Sequence, residues 1–373
     1  MSKNQIRIGR VMGIPLRLDI SWLLIFIWVT WSLAAGYFPQ RYPEWAGGLR
    51  WSLAVLTSLM FFGSVLLHEL GHALLARKHG VPVKDITLFI FGGVAEIADE
   101  PGTPIQELTM AVAGPFVSLS LSGLFAAIHL ATRSWSAPIA ALGLFLGGVN
   151  LSLGIFNLIP GFPLDGGRVL RSILWHIRQD LVWATRWASH VGQGVAYLFI
   201  AYGIIRTVAG NWLGGLWIAF IGFFLENAAR TAYAQLTLRN LMDGHVVAEA
   251  MNRQCQIIPP QLTLDLFVEH YLLNGGRRCY VVGDRDEIMG LLTVHNIRSV
   301  PRLERPFIQA RDVLTPMDKL ISVSVDTPLW EALREMTAGG VNQLPVMEDG
   351  KLQGMLTRED LITFIQTRAE LDV

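Results

Sequence analysis

His68-Glu69-Leu70-Gly71-His72 lies in an apolar run, residues 52–76, where its two histidines and its glutamate are the only ionisable side chains. A charge within a membrane-length helix costs a few kcal/mol on insertion scales, so its presence asks for a reason. The spacing supplies one. Residues i and i+4 share a helix face, and two imidazoles there can grip one Zn²⁺ with the glutamate beside the open coordination position. From average His and Glu usage, a chance His-Glu-x-x-His in a chain of this length arises about once in a hundred.

The surrounding composition agrees with a bilayer. The chain has 373 residues, 52% hydrophobic and 16% charged, with mean hydropathy +0.41, whereas soluble globular chains carry roughly 25% charge. Besides 52–76, five more segments are long and apolar enough to cross: 20–38, 108–131, 138–159, 191–209 and 212–229. With the N-terminus in the cytoplasm, thirteen Lys/Arg of this region fall on that side, among them Arg77, Lys78, Arg168 and Arg171, against four on the other. That distribution obeys the positive-inside rule. No small-residue cleavage site follows the first span, which reads as an uncleaved helix.

Past residue 235 the chain changes character. Of 30 acidic residues 11 precede residue 236 and 19 follow it, while 11 of the 12 tryptophans precede it. The expected organisation is therefore a membrane domain, 1–235, followed by a cytosolic domain, 236–373. Thirty basic against thirty acidic residues, with no basic run, leave no electrostatic reason to expect nucleic acid as a partner. Two cysteines, Cys255 and Cys279, exclude a disulfide scaffold.

Two stretches of the membrane part are not ordinary helices. Residues 86–98 are rich in strand formers and turned by Gly92-Gly93, which predicts a hairpin that re-enters the membrane shielded by protein, or else a buried loop. Residues 157–168, from Asn157 to Arg168, contain Pro160 and Pro163, which break the end of the fourth helix. Two histidines leave a catalytic zinc one protein ligand short. Asp165 in this broken segment is the best candidate for the third; Glu96, Asp99 and Glu107 compete but sit at or near a polar loop expected to face solvent. Depth supports Asp165, since at 1.5 Å per residue His68 and His72 lie about 14 and 8 Å inward of Arg77, towards the same leaflet as Arg168.

Together with Phe91-Gly92-Gly93-Val94-Ala95, Ala113-Gly114-Pro115 and Leu164-Asp165-Gly166-Gly167, these features resemble the site-2 proteases, intramembrane zinc metalloproteases of the prokaryotic branch that carries C-terminal CBS domains. The resemblance covers the whole chain. It implies His68, His72 and Asp165 as zinc ligands and Glu69 as the catalytic acid–base residue. It also implies that Asn157 positions the substrate or polarises its carbonyl, the alternative being a polar cap on the broken helix, and that the 86–98 hairpin pairs with an unwound substrate strand.

The last third is an internal repeat. In residues 246–300 and 312–366, Gly290-x-x-Thr293-x-x-Asn296 aligns with Gly354-x-x-Thr357-x-x-Asp360 at an offset of 64, as does Gly275-Gly276 with Gly339-Gly340. Each copy reads helix, strand, strand, helix, which resembles a tandem CBS module of α/β class. Such modules often bind adenosine nucleotides through the Thr and Asp of this motif, so ATP, ADP or AMP is expected at Thr357 and Asp360, and at Thr293 and Asn296 only if the amide replaces the carboxylate. The alternative is a structural or dimerising module in which Asp360 caps the last helix.

The expected whole is an all-α polytopic membrane domain with a cytosolic α/β module, an intramembrane zinc endopeptidase of the cell (inner) membrane. Its substrate would be a transmembrane protein, its setting the lipid bilayer, and a homodimer through the CBS domains is compatible with the pattern. A CBS-regulated transporter or channel would instead spread ionisable residues along a pore; a pseudoprotease would bind metal without turnover.

Overall fold

A computed structural model describes residues 5–90, 92–97, 100–273, 279–283 and 288–371. Phe91, residue 98, Asp99 and the Gly275-Gly276 pair lie outside the described residues. The chain folds as two units, Met1–Leu236 and Thr237–Val373, with the boundary next to the change in composition.

In the first unit, six helices among the described residues are long and apolar enough to cross a membrane: Ile20–Arg41, Gly47–Lys78, Pro104–Thr132, Ala137–Asn157, Leu181–Val208 and Trp212–Met242. We label the last five α2, α3, α4, α6 and α7, with α1 for Ser21–Ser32 at the start of the first. Local chemistry sets several ends. Thr103 Oγ1 accepts from the Gln106 N–H at 3.3 Å and Pro104 opens α3, while Asp180 Oδ1 accepts from the Trp183 N–H at 2.9 Å at the start of α6.

Between α4 and α6 the broken segment does not simply end the fourth span. After a loop with a cis Phe162–Pro163 bond it starts a separate amphipathic helix, α5, Asp165–Arg178. Its polar face hides it from a reading for apolar spans.

The hairpin is also part of something larger. Strands β1, Gln5–Val11, and β2, Ile14–Asp19, turn at Met12-Gly13, both with positive φ, as a two-residue hairpin turn requires. They join β3, Val83–Phe89, and β4, Gly92–Ile97, in one sheet of order β1-β2-β3-β4. β2 and β3 run parallel, with Leu16 opposite Ile86, and β3 and β4 antiparallel, with Thr87 opposite Val94. Ile14, Leu16 and Ile86 bury themselves against Leu70 and Ala73 of α2, so the sheet is seated on the turn that carries the His-Glu-x-x-His motif. Among the described residues β4 is an edge strand of that sheet.

The second unit contains two α/β copies. β6, Cys279–Gly283, and β7, Ile288–Thr293, form the first hairpin; β9, Gln343–Glu348, and β10, Lys351–Thr357, the second. The short β5, Ile257–Ile258, and β8, Thr315–Pro316, flank the first hairpin, in the order β5-β6-β7-β8. Each copy has its own apolar core, around Leu264, Phe267 and Tyr280 in one and Leu329, Met336 and Leu344 in the other, and Val281, Leu291 and Met355 pack between them. The helix of each repeat motif is capped by its own motif. Asn296 Oδ1 accepts from the Thr293 N–H at 3.0 Å before α8, Val294–Arg298; Asp360 Oδ2 accepts from the Thr357 N–H at 2.9 Å at the start of the last helix, Arg358–Leu371.

Candidate metal centre

His68 and His72 are buried one turn apart on α2, and Asp165 opens α5. His68 Nε2 and His72 Nε2 are each 3.2 Å from Asp165 Oδ2 and 3.3 Å from one another. Tetrahedral zinc with bonds of about 2.0–2.1 Å separates its ligand atoms by roughly 3.3 Å, so the three atoms form one face of such a polyhedron and leave the fourth vertex open. The donor set, two imidazoles and a carboxylate, suits zinc. Burial pushes the Asp165 carboxyl up, but hydrogen bonds and charge from the two imidazoles outweigh it and hold the group below the usual carboxylate range.

The outer nitrogens of both rings are occupied. His72 Nδ1 donates to the Met110 carbonyl at 2.7 Å, which leaves the Nε2 lone pair for a metal. His68 Nδ1 lies 2.8 Å from Ser118 Oγ. Both partners belong to α3, as does Gly114 between them. A Cβ on Gly114 would lie 2.6 Å from His68 Nε2 and clash with His72 Nε2, so a side chain there would fill the space between the rings. The residues present therefore fit a zinc ion.

Glu69 is half-buried beside the triad, hydrogen-bonded to the Ala95 backbone on β4. A Cβ on Gly93 would come within 2.6 Å of Glu69 Cγ and 3.2 Å of Leu88 Cδ2, which accounts for a glycine where the sheet edge crosses the glutamate. Gly166 and Gly167 let α5 press against the backbone of residues 158–162, where a Cβ would collide with the carbonyls of Leu158 and Ile159 and with Gly161 and Phe162.

The other candidates are placed elsewhere. Asn157 ends α4, half-buried, with Nδ2 donating to the Leu153 carbonyl of its own helix at 3.0 Å. Glu96 is exposed and paired with Lys84 at 2.6 Å. Glu107 corrects an expectation: instead of facing solvent it is fully buried, because the cationic Arg171 of α5 meets it there, Nε donating to Glu107 Oε1 at 2.6 Å. Arg171 Nη2 also reaches Glu100 at 3.0 Å. From sequence Arg171 counts only as a positive charge at the membrane face. The signal that could have found this pair is weak, a lone acid one turn into an apolar helix.

In the second unit, Thr357 and Asp360 line a cavity of about 580 Å³ with Asn252, Gln256, Asn342 and Arg358. Thr293 and Asn296 are not among its lining residues.

The sequence profile of peptidase family M50 matches residues 56–141 and 128–200, and that of the CBS domain residues 310–367. A protein of Synechocystis sp. bearing a zinc-metalloprotease name is 35% identical over 98% of this chain and 97% of its own length. Rip3 of Mycobacterium tuberculosis, similarly named, is 34% identical over 97% of this chain and 93% of its own. A solved site-2 protease from Methanocaldococcus jannaschii is 28% identical, with TM-score 0.42, covering 61% of this chain and 95% of that one.

Proposed function

The chain belongs to peptidase family M50, the zinc metalloproteases of site-2 protease type, fused to CBS domains, and from that premise we propose that it cuts membrane-protein substrates in or near their transmembrane segments. The observation that carries this reading is the convergence of His68 Nε2, His72 Nε2 and Asp165 Oδ2 on one open vertex, beside Glu69, on a membrane-length helix.

His68, His72 and Asp165 would hold the zinc, which when bound would supply Lewis acidity and lower the pKa of water from 15.7 to about 7. His72 keeps its tautomer through Met110. Glu69 takes a proton from the attacking water and returns it to the leaving amine. A helical substrate hides its carbonyls in i to i+4 hydrogen bonds and must unwind before it is cut. The edge of β4, which crosses Glu69, offers the extended form its backbone groups other than the Ala95 group bonded to Glu69. Asn157, whose Nδ2 donates to the Leu153 carbonyl, is carried over from the family resemblance as the residue that positions the substrate or polarises its carbonyl.

In this reading 1–235 is the protease and 236–373 the regulatory CBS pair, the protein sits in the inner membrane, and the N-terminus and CBS pair face the cytoplasm. ATP, ADP or AMP binds in the cavity at Thr357 and Asp360 and tunes substrate access, and CBS packing supports a homodimer. Cleavage of a membrane-spanning substrate by wild type and Glu69→Ala protein tests the catalytic assignment. We expect a loss of about 10²-fold or more in the variant; equal rates would overturn it.

A further inference from the structure

One face of α3 carries Glu107, Met110, Gly114 and Ser118, at i, i+3, i+7 and i+11, so the four residues lie along the same side of the helix. Three of them meet the α2 histidines: the Met110 backbone carbonyl accepts from His72, Ser118 Oγ bonds His68, and Gly114 leaves room for both rings. The fourth meets α5 instead. Glu107 is fully buried and Arg171 only 5% exposed. Arg171 Nε donates to Glu107 Oε1 at 2.6 Å, and its Nη2 is ion-paired with that same oxygen and donates to Glu100 Oε2 at 3.0 Å. Arg168 Nε stands 3.8 Å from the same Glu107 oxygen, and the Arg171 guanidinium lies 5.2 Å from the centroid of the Phe162 ring.

α5 is the helix that presents Asp165. Leu164, before it, supplies no side-chain cap, so the helix start is not fixed by a capping bond. Asp165, Arg168 and Arg171 follow at i, i+3 and i+6 along α5. A pair whose only task was to join two helices in a low-dielectric region would be no better than an apolar contact, because desolvation offsets the attraction. What the guanidinium adds, by bridging Glu107 Oε1 and Glu100 Oε2, is a set direction between α5 and the start of α3.

We propose that Glu107 and Arg171 are positioning residues for the metal centre. Their buried pair locks α5 to the same α3 face that orients His68 and His72, and so sets the separation between Asp165 Oδ2 and the two Nε2 atoms. The inference rests on the zinc reading of the triad and concerns ligand geometry, not proton transfer.

The test is zinc affinity by chelator competition on full-length, detergent-purified wild type, Glu107→Gln, Arg171→Gln and Arg171→Lys. Cobalt(II) substitution serves as a spectroscopic report of coordination, and the melting temperature of each metal-free protein is measured alongside. Glu107→Gln and Arg171→Gln are expected to bind zinc about 10–100-fold more weakly, the range seen when partners outside the ligand set are removed. Their cobalt spectra should lose intensity as tetrahedral order is lost. Arg171→Lys, which keeps the buried charge and serves if the other variants do not fold, should recover part of the affinity. Variants that melt lower but bind zinc as tightly as wild type, with unchanged cobalt spectra, would overturn the proposal and leave the pair a structural link. Wild type without zinc affinity would sink the metalloprotease reading itself, a result the wild-type control shows separately.

Discussion

Glu69 and Gly114 mark two ways in which single residues control the centre. Glu69→Ala removes the proton carrier without touching a ligand atom, so zinc content should stay at the wild-type level while turnover falls. Gly114→Ala does the opposite, placing a methyl group against both imidazole Nε2 atoms. It should weaken zinc binding about 10–100-fold, measured by chelator competition. Undiminished affinity in Gly114→Ala would mean that the rings have room to shift. Acid separates two further effects. Asp165 is held low in the metal-free protein, so its contribution to stability is complete above the ordinary carboxylate range and is lost only as pH falls through its depressed value. Metal binding requires its ligands deprotonated, so protons compete with the metal as pH falls. Dialysis at about pH 5 should therefore release zinc before the fold is lost, with zinc release and circular dichroism followed together. The spacing of His68, Glu69 and His72 made this much legible, because a helix turns i and i+4 to one side whatever surrounds it. Met110, Gly114, Ser118 and Glu107 were not legible in the same way, since their roles depend on which face of α3 meets α2 and α5.

At the scale of elements, α3 is the frame on which the centre is assembled and the four-stranded sheet is its cover. Hydropathy alone locates the six long helices, since a segment that must lie in hydrocarbon announces itself by composition. The same criterion overlooks α5, whose polar face meets Glu107 and Glu100. It also overlooks β1 and β2. The alternation of Ile14, Leu16 and Leu18 against Pro15, Arg17 and Asp19 in β2 is regular, but the partner that completes the sheet lies some 70 residues away at β3. The sheet yields its own prediction. Gly93→Ala would push a methyl group into Glu69 Cγ, and a displacement of about 1 Å at a catalytic group can cost about 100-fold in rate. Proteolytic turnover should drop by about that factor with zinc content unchanged; full activity would show that Glu69 is not held by the β4 edge.

For the molecule as a whole, the two units combine a membrane zinc-metalloprotease domain with a tandem CBS module. The repeat was legible because both copies share the Gly-x-x-Thr frame, and the exchange of Asp360 for Asn296 already set the copies apart. Within the second unit the cavity's lining includes Thr357 and Asp360 of the second motif but neither Thr293 nor Asn296 of the first. Calorimetry on the full-length protein is expected to show saturable binding of at least one of ATP, ADP and AMP, weakened about tenfold or more by Asp360→Ala, a loss in line with a hydrogen bond to a charged group. Asn296→Ala should leave it unchanged. Absence of heat with all three nucleotides would reduce the module to a structural or dimerising role.

The central claim is that His68, His72 and Asp165 together hold one catalytic zinc. Bound metal per chain, measured in detergent-purified wild type beside His68→Ala, Asp165→Ala and Glu69→Ala, tests it most directly. One zinc per chain is expected in wild type and in Glu69→Ala, and its loss in the other two. Zinc absent from folded wild type, or retained without Asp165, would contradict it.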